Sequence, residues 1–184
     1  NMAVNRKELL STVFAGKGTF TYVTGWLPVS EGWNPEWQSR FDQLYGYNPT
    51  KAKALLKEAG YGPGQLKFKI QAFTEPGESE GPQVAEALGI YFKEVGVDAE
   101  IEVVDWARVR QSFRTKANHC CIVPNIISWR PSEEWMRTAY YSKGAAHFFE
   151  DEFIDKNYVA LTKAVKPEER QRLARAIADH LFEE

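Results

Sequence analysis

Between Tyr45 and Asp105 the chain alternates helical and extended hydrophobic spacing, with a turn signal at each change, and few folds accommodate that order. Asn48 can cap a helix whose first turn begins at Pro49, where the absent N–H costs nothing. Ala52, Leu55, Leu56 and Ala59 then share one face, and Gly60 suits the left-handed residue that closes a helix. Over residues 66–73, Leu66, Phe68, Ile70 and Ala72 alternate with Lys67, Lys69 and Gln71, the pattern of a half-buried strand. A polar turn region over 75–82 leads into a second helix, roughly 81–95, which stops at Gly96, and a strand over 97–104 follows. Strands separated by a helix argue for an α/β or α+β layer built on a small sheet.

The flanking sequence is less regular. Asn5, Arg6, Lys7 and Glu8 fit a capping box, opening a helix to about Ala15 with Leu9, Leu10, Val13 and Phe14 on its apolar face. Residues 17–43 hold no sustained period and carry Gly18, Gly25, Pro28, Gly32 and Pro35, so they read as a long connection. Such connections inside compact domains are often functional, and this one holds Trp26, Trp33 and Trp37. A short helix over 106–116 carries Arg108, Arg110, Arg114 and Lys116; without interleaved aromatics this is a solvated face rather than a nucleic-acid site. Residues 119–128 read as a buried strand in which Pro124 marks a bulge or edge. Ser132 is expected to cap a helix running to Ser142, with Glu133 and Glu134 in its first turn. A helix over 151–164 follows, and Pro167 starts the last, with Leu173, Ile177 and Leu181 on its apolar face.

Composition narrows the function classes. With 184 residues the chain can bury a sizeable core, and a formal net charge of −2 gives no general pull toward nucleic acid or anionic membrane. No apolar run approaches the roughly 18–20 residues of a membrane-spanning helix. The chain contains no G-x-S-x-G elbow, H-E-x-x-H pair or phosphate-binding G-x-x-x-x-G-K-[ST] loop, so no enzyme activity is expected. His119, His147 and His180 lack metal-ligand spacing, Cys120 and Cys121 read as packing residues, and no metal or cofactor is called for. Aromatics make up 14%, with six tryptophans, which leaves two readings open: a tryptophan-rich core, or tryptophans lining a ligand cleft.

Three segments carry a family resemblance. NPTKAKALLKEAGY (48–61) resembles the Y-[DN]-P-x-K-A-K-x-L-L-x-E-A-G-Y signature of the family 5 extracellular solute-binding proteins, receptors of ABC importers for peptides and nickel. QVAEALGIYFKEVGVDAEIEVVDW (83–106) resembles the block of that family built around L-x-x-v-G-V-x-v-e-i. The opening NMAVNRKELLSTVFAGKGTFTYVTGWLP resembles a third segment, with Asn5–Arg6 where the family usually has Asp–Arg. The resemblance implies a single α/β domain over residues 1–184 with a small mixed sheet flanked by helices, the C-terminal lobe of a two-lobed receptor truncated at both ends.

The same resemblance places ligand contacts at Ser128-Trp129-Arg130-Pro131-Ser132, where a strand meets a helix. The family usually has G-W-x-x-D-Y-x-D-P here, and the first aspartate holds the α-amino group of a peptide. That aspartate has no counterpart in this sequence and Arg130 occupies its neighbourhood, which suits a carboxylate or phosphate better than an amine. Trp129, Arg130 and Trp26 are the expected substrate-binding residues. An alternative role for Arg130 is an ion pair with Glu133 or Glu134, with Trp129 in the core. The implied function is the substrate-binding component of an ABC importer, holding an oligopeptide or similar solute in an interlobe cleft. Its implied partners are that solute, the N-terminal lobe and the permease subunits, with no nucleic acid and with membrane contact only through an anchor or the permease. The implied location is periplasmic or extracellular. A ligand-sensing or interaction module built on the same lobe, without transport, is the second reading.

Overall fold

A computed structural model of the chain describes residues 1–74, 79–115 and 131–183. In chain order its elements are α1 (Arg6–Val13), α2 (Trp37–Tyr45), α3 (Pro49–Glu58), β1 (Lys67–Ala72), α4 (Gly81–Glu94), β2 (Asp98–Val103), α5 (Trp106–Thr115), α6 (Ser132–Trp135), a π-helical turn (Met136–Tyr140), α7 (Glu152–Leu161) and α8 (Pro167–Glu183). They fall into two compact units, residues Asn1–Thr19 with Asp42–Asn125, and Phe20–Phe41 with Ile126–Glu184. The expected strand over 119–128 lies outside the described residues, as do Cys120, Cys121, His119 and Lys116.

The first unit is built on a β–α–β crossover. β1 and β2 pair in parallel, with Phe68 opposite Ala99 and Ile70 opposite Ile101. Parallel neighbours need a crossover connection, which α4 supplies. One face of the ladder packs Ile70 and Ala72 against Ala85, Val84, Leu88 and Phe92 of α4. The other face sets Lys67 3.5 Å from Asp98 and Lys69 3.5 Å from Glu100, exposed pairs worth about 0–1 kcal/mol each. Asn48 caps α3 as expected, its side chain accepting from the Lys51 N–H at 2.9 Å. Asn5 likewise accepts from the Glu8 N–H at 3.3 Å to cap α1. Ala52 and Leu56 pack toward Ala3, Val95 and Val97, whereas Leu55, expected on the same face, is 45% exposed.

The second unit is held together by α8. Its apolar stripe is Leu173, Ala174, Ile177, Ala178 and Phe182, all buried, while Leu181, expected there, is only half-buried. The long connection is not structureless. Its latter part forms α2, whose first residue Trp37 is wholly buried, stacks on Phe182 at 6.1 Å and donates its indole N–H to Asp179 at 2.7 Å. The expected helix from Ser132 to Ser142 breaks after one α turn into the π turn, and Pro131 rather than Ser132 occupies its N-cap position.

α7 opens on Asp151, whose carboxylate accepts from the Ile154 N–H at 2.9 Å and from His180 Nε2 at 2.8 Å. Burial alone would push this carboxyl up, but the Ile154 N–H and His180 outweigh it and hold it below its ordinary value. A group with a depressed folded pKa adds stability above its unfolded pKa and loses it as pH falls through the folded value. Part of the second unit's stability should therefore disappear as pH drops below about 4. Urea unfolding midpoints followed from pH 6 to pH 3 should fall less steeply in Asp151→Asn than in the wild type.

Candidate functional site

Of the segment expected to touch ligand, Pro131 and Ser132 are among the described residues. Trp129 and Arg130 themselves lie outside the described residues. What the structure shows is the scaffold that carries the C-terminal edge of this segment, and it is built from residues 20–36, α6, the π turn and α8.

A single backbone carbonyl organises that scaffold. Glu31 O accepts from Trp26 Nε1 at 3.0 Å and from Ser132 Oγ at 3.2 Å, tying the long connection to the first residue of α6. Ser132 is 3% exposed, so its hydroxyl serves as a buried donor to the loop rather than as a cap. The Glu31 carboxylate takes Arg170 Nε at 3.2 Å and Nη2 at 3.1 Å, and the same guanidinium reaches Glu133 at 2.8 Å and the Leu161 carbonyl at 3.2 Å. Fork-shaped contacts of this kind fix geometry as well as charge. Hydrogen bonding to Glu31 and then to Glu133 outweighs burial and pushes the Arg170 pKa up. The Glu133 carboxylate, considered above as a partner for Arg130, is thus already engaged by Arg170.

Trp26, expected to face ligand, is placed in the interior of the second unit. Its side chain is fully buried, its N–H is satisfied and its ring lies 6.0 Å from that of Tyr140. Tyr140 in turn donates its hydroxyl to Thr24 O at 2.9 Å, and burial pushes that hydroxyl's pKa well up. Trp33 is half-buried with its ring 5.1 Å from Trp37.

Sequence reasoning missed Trp135. Its ring lies against Gly25, where φ is +90° and an added Cβ would come within 2.6 Å of the ring. Its indole N–H is buried without an acceptor, and the π turn begins at the next residue. The signal available in the sequence was the pairing of a loop glycine with a tryptophan over a hundred residues away, which no local pattern reveals. An unpaired buried donor costs about 1–3 kcal/mol. Trp135→Phe should accordingly leave thermal stability unchanged or raise it by up to about 1 kcal/mol, where a typical large-to-smaller core change lowers it.

Among the described residues no group of three or more His, Cys, Asp or Glu is placed to hold a metal ion, and no helix is long and apolar enough to cross a membrane. Residues 1–148 match the family described as bacterial extracellular solute-binding proteins, family 5 Middle. The chain belongs to this family. A solute-binding-family relative, the glutathione-binding protein GsiB of Salmonella typhimurium, is 27% identical over 205 residues, spanning all of this chain and 36% of that protein. The chain therefore spans about a third of the length of the curated relatives it matches. Among solved structures, the nickel ABC transporter protein of Bacillus halodurans superposes with a TM-score of 0.78 at 18% identity, covering 99% of this chain and 38% of that one. The oligopeptide-binding protein AppA of Bacillus subtilis, in complex with a nonapeptide, gives a TM-score of 0.76 at 18% identity over 98% of this chain and 38% of its own. The family 5 chain thus has the fold found in part of these larger binding proteins: a small sheet flanked by helices.

Proposed function

We propose that residues 1–184 form one lobe, the C-terminal one, of a solute receptor serving an ABC importer outside the cytoplasmic membrane. The observation that carries the reading is the family match over residues 1–148. The hydrogen-bonded frame of Glu31, Ser132, Glu133 and Arg170, at the edge of the Ser128–Ser132 segment, supports the placement of the site. The protein acts by binding rather than by catalysis. Solute enters a cleft between this lobe and the N-terminal one, closure of the two lobes covers it, and the closed form is what the permease subunits recognise.

In this reading Trp129 packs on the solute and Arg130 grips an anionic group. Trp26, its ring covered, holds the 20–36 loop in place. A guanidinium favours a carboxylate held through two N–H groups. A peptide-like solute with an accessible carboxylate fits this chemistry, as glutathione does, whereas recognition through an α-amine lacks its aspartate here. The test is tryptophan fluorescence of the full-length receptor titrated with glutathione, pooled oligopeptides and nickel chelates. A saturable change with a carboxylate-bearing pool is expected, weakened at least tenfold by Trp129→Ala and by Arg130→Gln with the unfolding midpoint unmoved. Silence with every pool would count against a receptor, and saturable binding indifferent to both substitutions would move the site elsewhere.

A further inference from the structure

The first unit carries a groove of about 600 Å³ that the solute reading does not use. Its floor is the outer edge of a core cluster: Leu56 and Leu66, both half-buried, rest on the buried Val95 and Val97. Two helices, α3 and α4, end at its rim. Gly60 and Gly96 close them with φ of +86° each, and neither Gly60 nor Gly64 would bring an added Cβ within 4 Å of anything. Of the glycines here, Gly62 and Gly96 line the groove itself.

Its rim is cationic. Lys53, Lys57 and Lys93 line it against the single carboxylate of Glu94, and none of the three lysines is in an ion pair among the described residues. Lys57 and Lys93 sit in the last turns of their helices, where a positive charge is favoured. Three of the carbonyls at these helix ends already accept backbone bonds: Gly60 N–H donates to Lys57 O at 3.0 Å, Tyr61 N–H to Leu56 O at 2.9 Å and Gly96 N–H to Lys93 O at 3.0 Å. None of the three ammonium groups makes a hydrogen bond among the described residues. Lys53 has no helix-end role, and it faces Lys57 at i,i+4, a like-charge pairing that costs the isolated helix a few tenths of a kcal/mol. Helix stability gives no reason for this pairing, whereas a ligand carrying carboxylates does. An inorganic anion would leave the leucine and valine floor unused, and a purely apolar ligand would leave the ammonium rim uncompensated.

We propose that this groove docks an acidic segment of a protein partner, which places an apolar side chain on the Leu56–Leu66 floor and carboxylates against Lys53, Lys57 and Lys93. The volume accommodates a few residues of extended peptide, so the contact is of the weak, transient class. Tyr61, 44% exposed at the rim, extends the apolar floor toward the partner. Docking here is independent of whether solute is recognised at Trp129.

The test uses the full chain and a fluorescein-labelled peptide of Leu-Phe flanked on each side by two aspartates, followed by fluorescence anisotropy. Saturable binding is expected. It should weaken at least tenfold in Lys53→Glu/Lys57→Glu and severalfold in Tyr61→Ser, a surface change that leaves the core intact, with circular dichroism unchanged in both. A control peptide with Ser-Ser in place of Leu-Phe should bind at least tenfold more weakly, and Trp129→Ala should bind the probe as the wild type does. No saturable binding, equal binding of the control peptide, or indifference to the lysine reversals would overturn the proposal. So would loss of binding in Trp129→Ala, which would send the peptide to the solute site instead.

Discussion

Gly32→Ala is expected to destabilise the second unit by about 2–5 kcal/mol, the sum of a left-handed backbone penalty and an overpacking penalty. Gly32 has φ of +85°, and an added Cβ would lie 2.6 Å from the Ala174 carbonyl carbon and 2.7 Å from the Arg175 nitrogen. Both are backbone atoms of α8, so no side-chain rotation relieves the overlap. The Gly32 N–H also donates to Gln171 at 2.9 Å, so a loop that lifts away gives up this bond as well. Thermal unfolding should show a midpoint lowered by roughly 5–15 °C. Gly60→Ala is the internal control: its φ is +86° but its Cβ would meet nothing, so only the conformational penalty of about 1–2 kcal/mol remains. Equal effects of the two substitutions would show that loop and helix are not in close contact at Gly32.

The contrast between those glycines reflects what a sequence can and cannot announce. Gly60 and Gly96 were legible because each follows a run of helical spacing, and a left-handed residue is the ordinary way to end one. The β1–α4–β2 unit was legible for the same local reason: the period switches from 2 to 3.6 and back, and boundaries agree within a residue or two. α2 was hidden although Trp37, Phe41, Leu44 and Tyr45 have helical spacing, because Asn34 and Pro35 sit directly before it and read as more turn. Asn34 in fact serves the helix start, its side chain accepting from the Glu36 N–H at 3.0 Å and donating to Asp179 at 2.9 Å.

The scaffold of the site was the least legible part. Arg170 and Glu31 are 139 positions apart, and Ser132 and Glu31 are 101 apart. Every charged residue near the candidate segment has several plausible partners in a one-dimensional string, and only the fold selects among them. The string favoured Glu133 or Glu134 as the alternative partner of Arg130 because they are neighbours in sequence. The fold gives Glu133 to Arg170 instead. The same holds for Ser132, whose position before two glutamates suggested a cap when its burial makes it a cross-link.

Trp26→Ala is expected to cost about 3–5 kcal/mol, the range for removing a large aromatic from a closed core. Trp26 has no exposed surface, and the cavity left by its loss would open beneath Tyr140 and beside the carbonyl that also receives Ser132. Trp26→Phe separates two contributions: it keeps most of the apolar burial but removes the donor to Glu31 O, for an expected cost nearer 1–2 kcal/mol. These numbers also discriminate between the two roles open to a tryptophan in this chain. A core tryptophan affects solute binding only through the folded fraction. Trp26→Phe, still folded, should therefore bind solute within a few-fold of the wild type, while Trp129→Ala should lose at least tenfold in affinity with no change in unfolding midpoint. If Trp26→Phe instead lost affinity as steeply as Trp129→Ala at unchanged stability, the 20–36 loop would have to present its ring to the solute, and the buried arrangement would describe only one of its states.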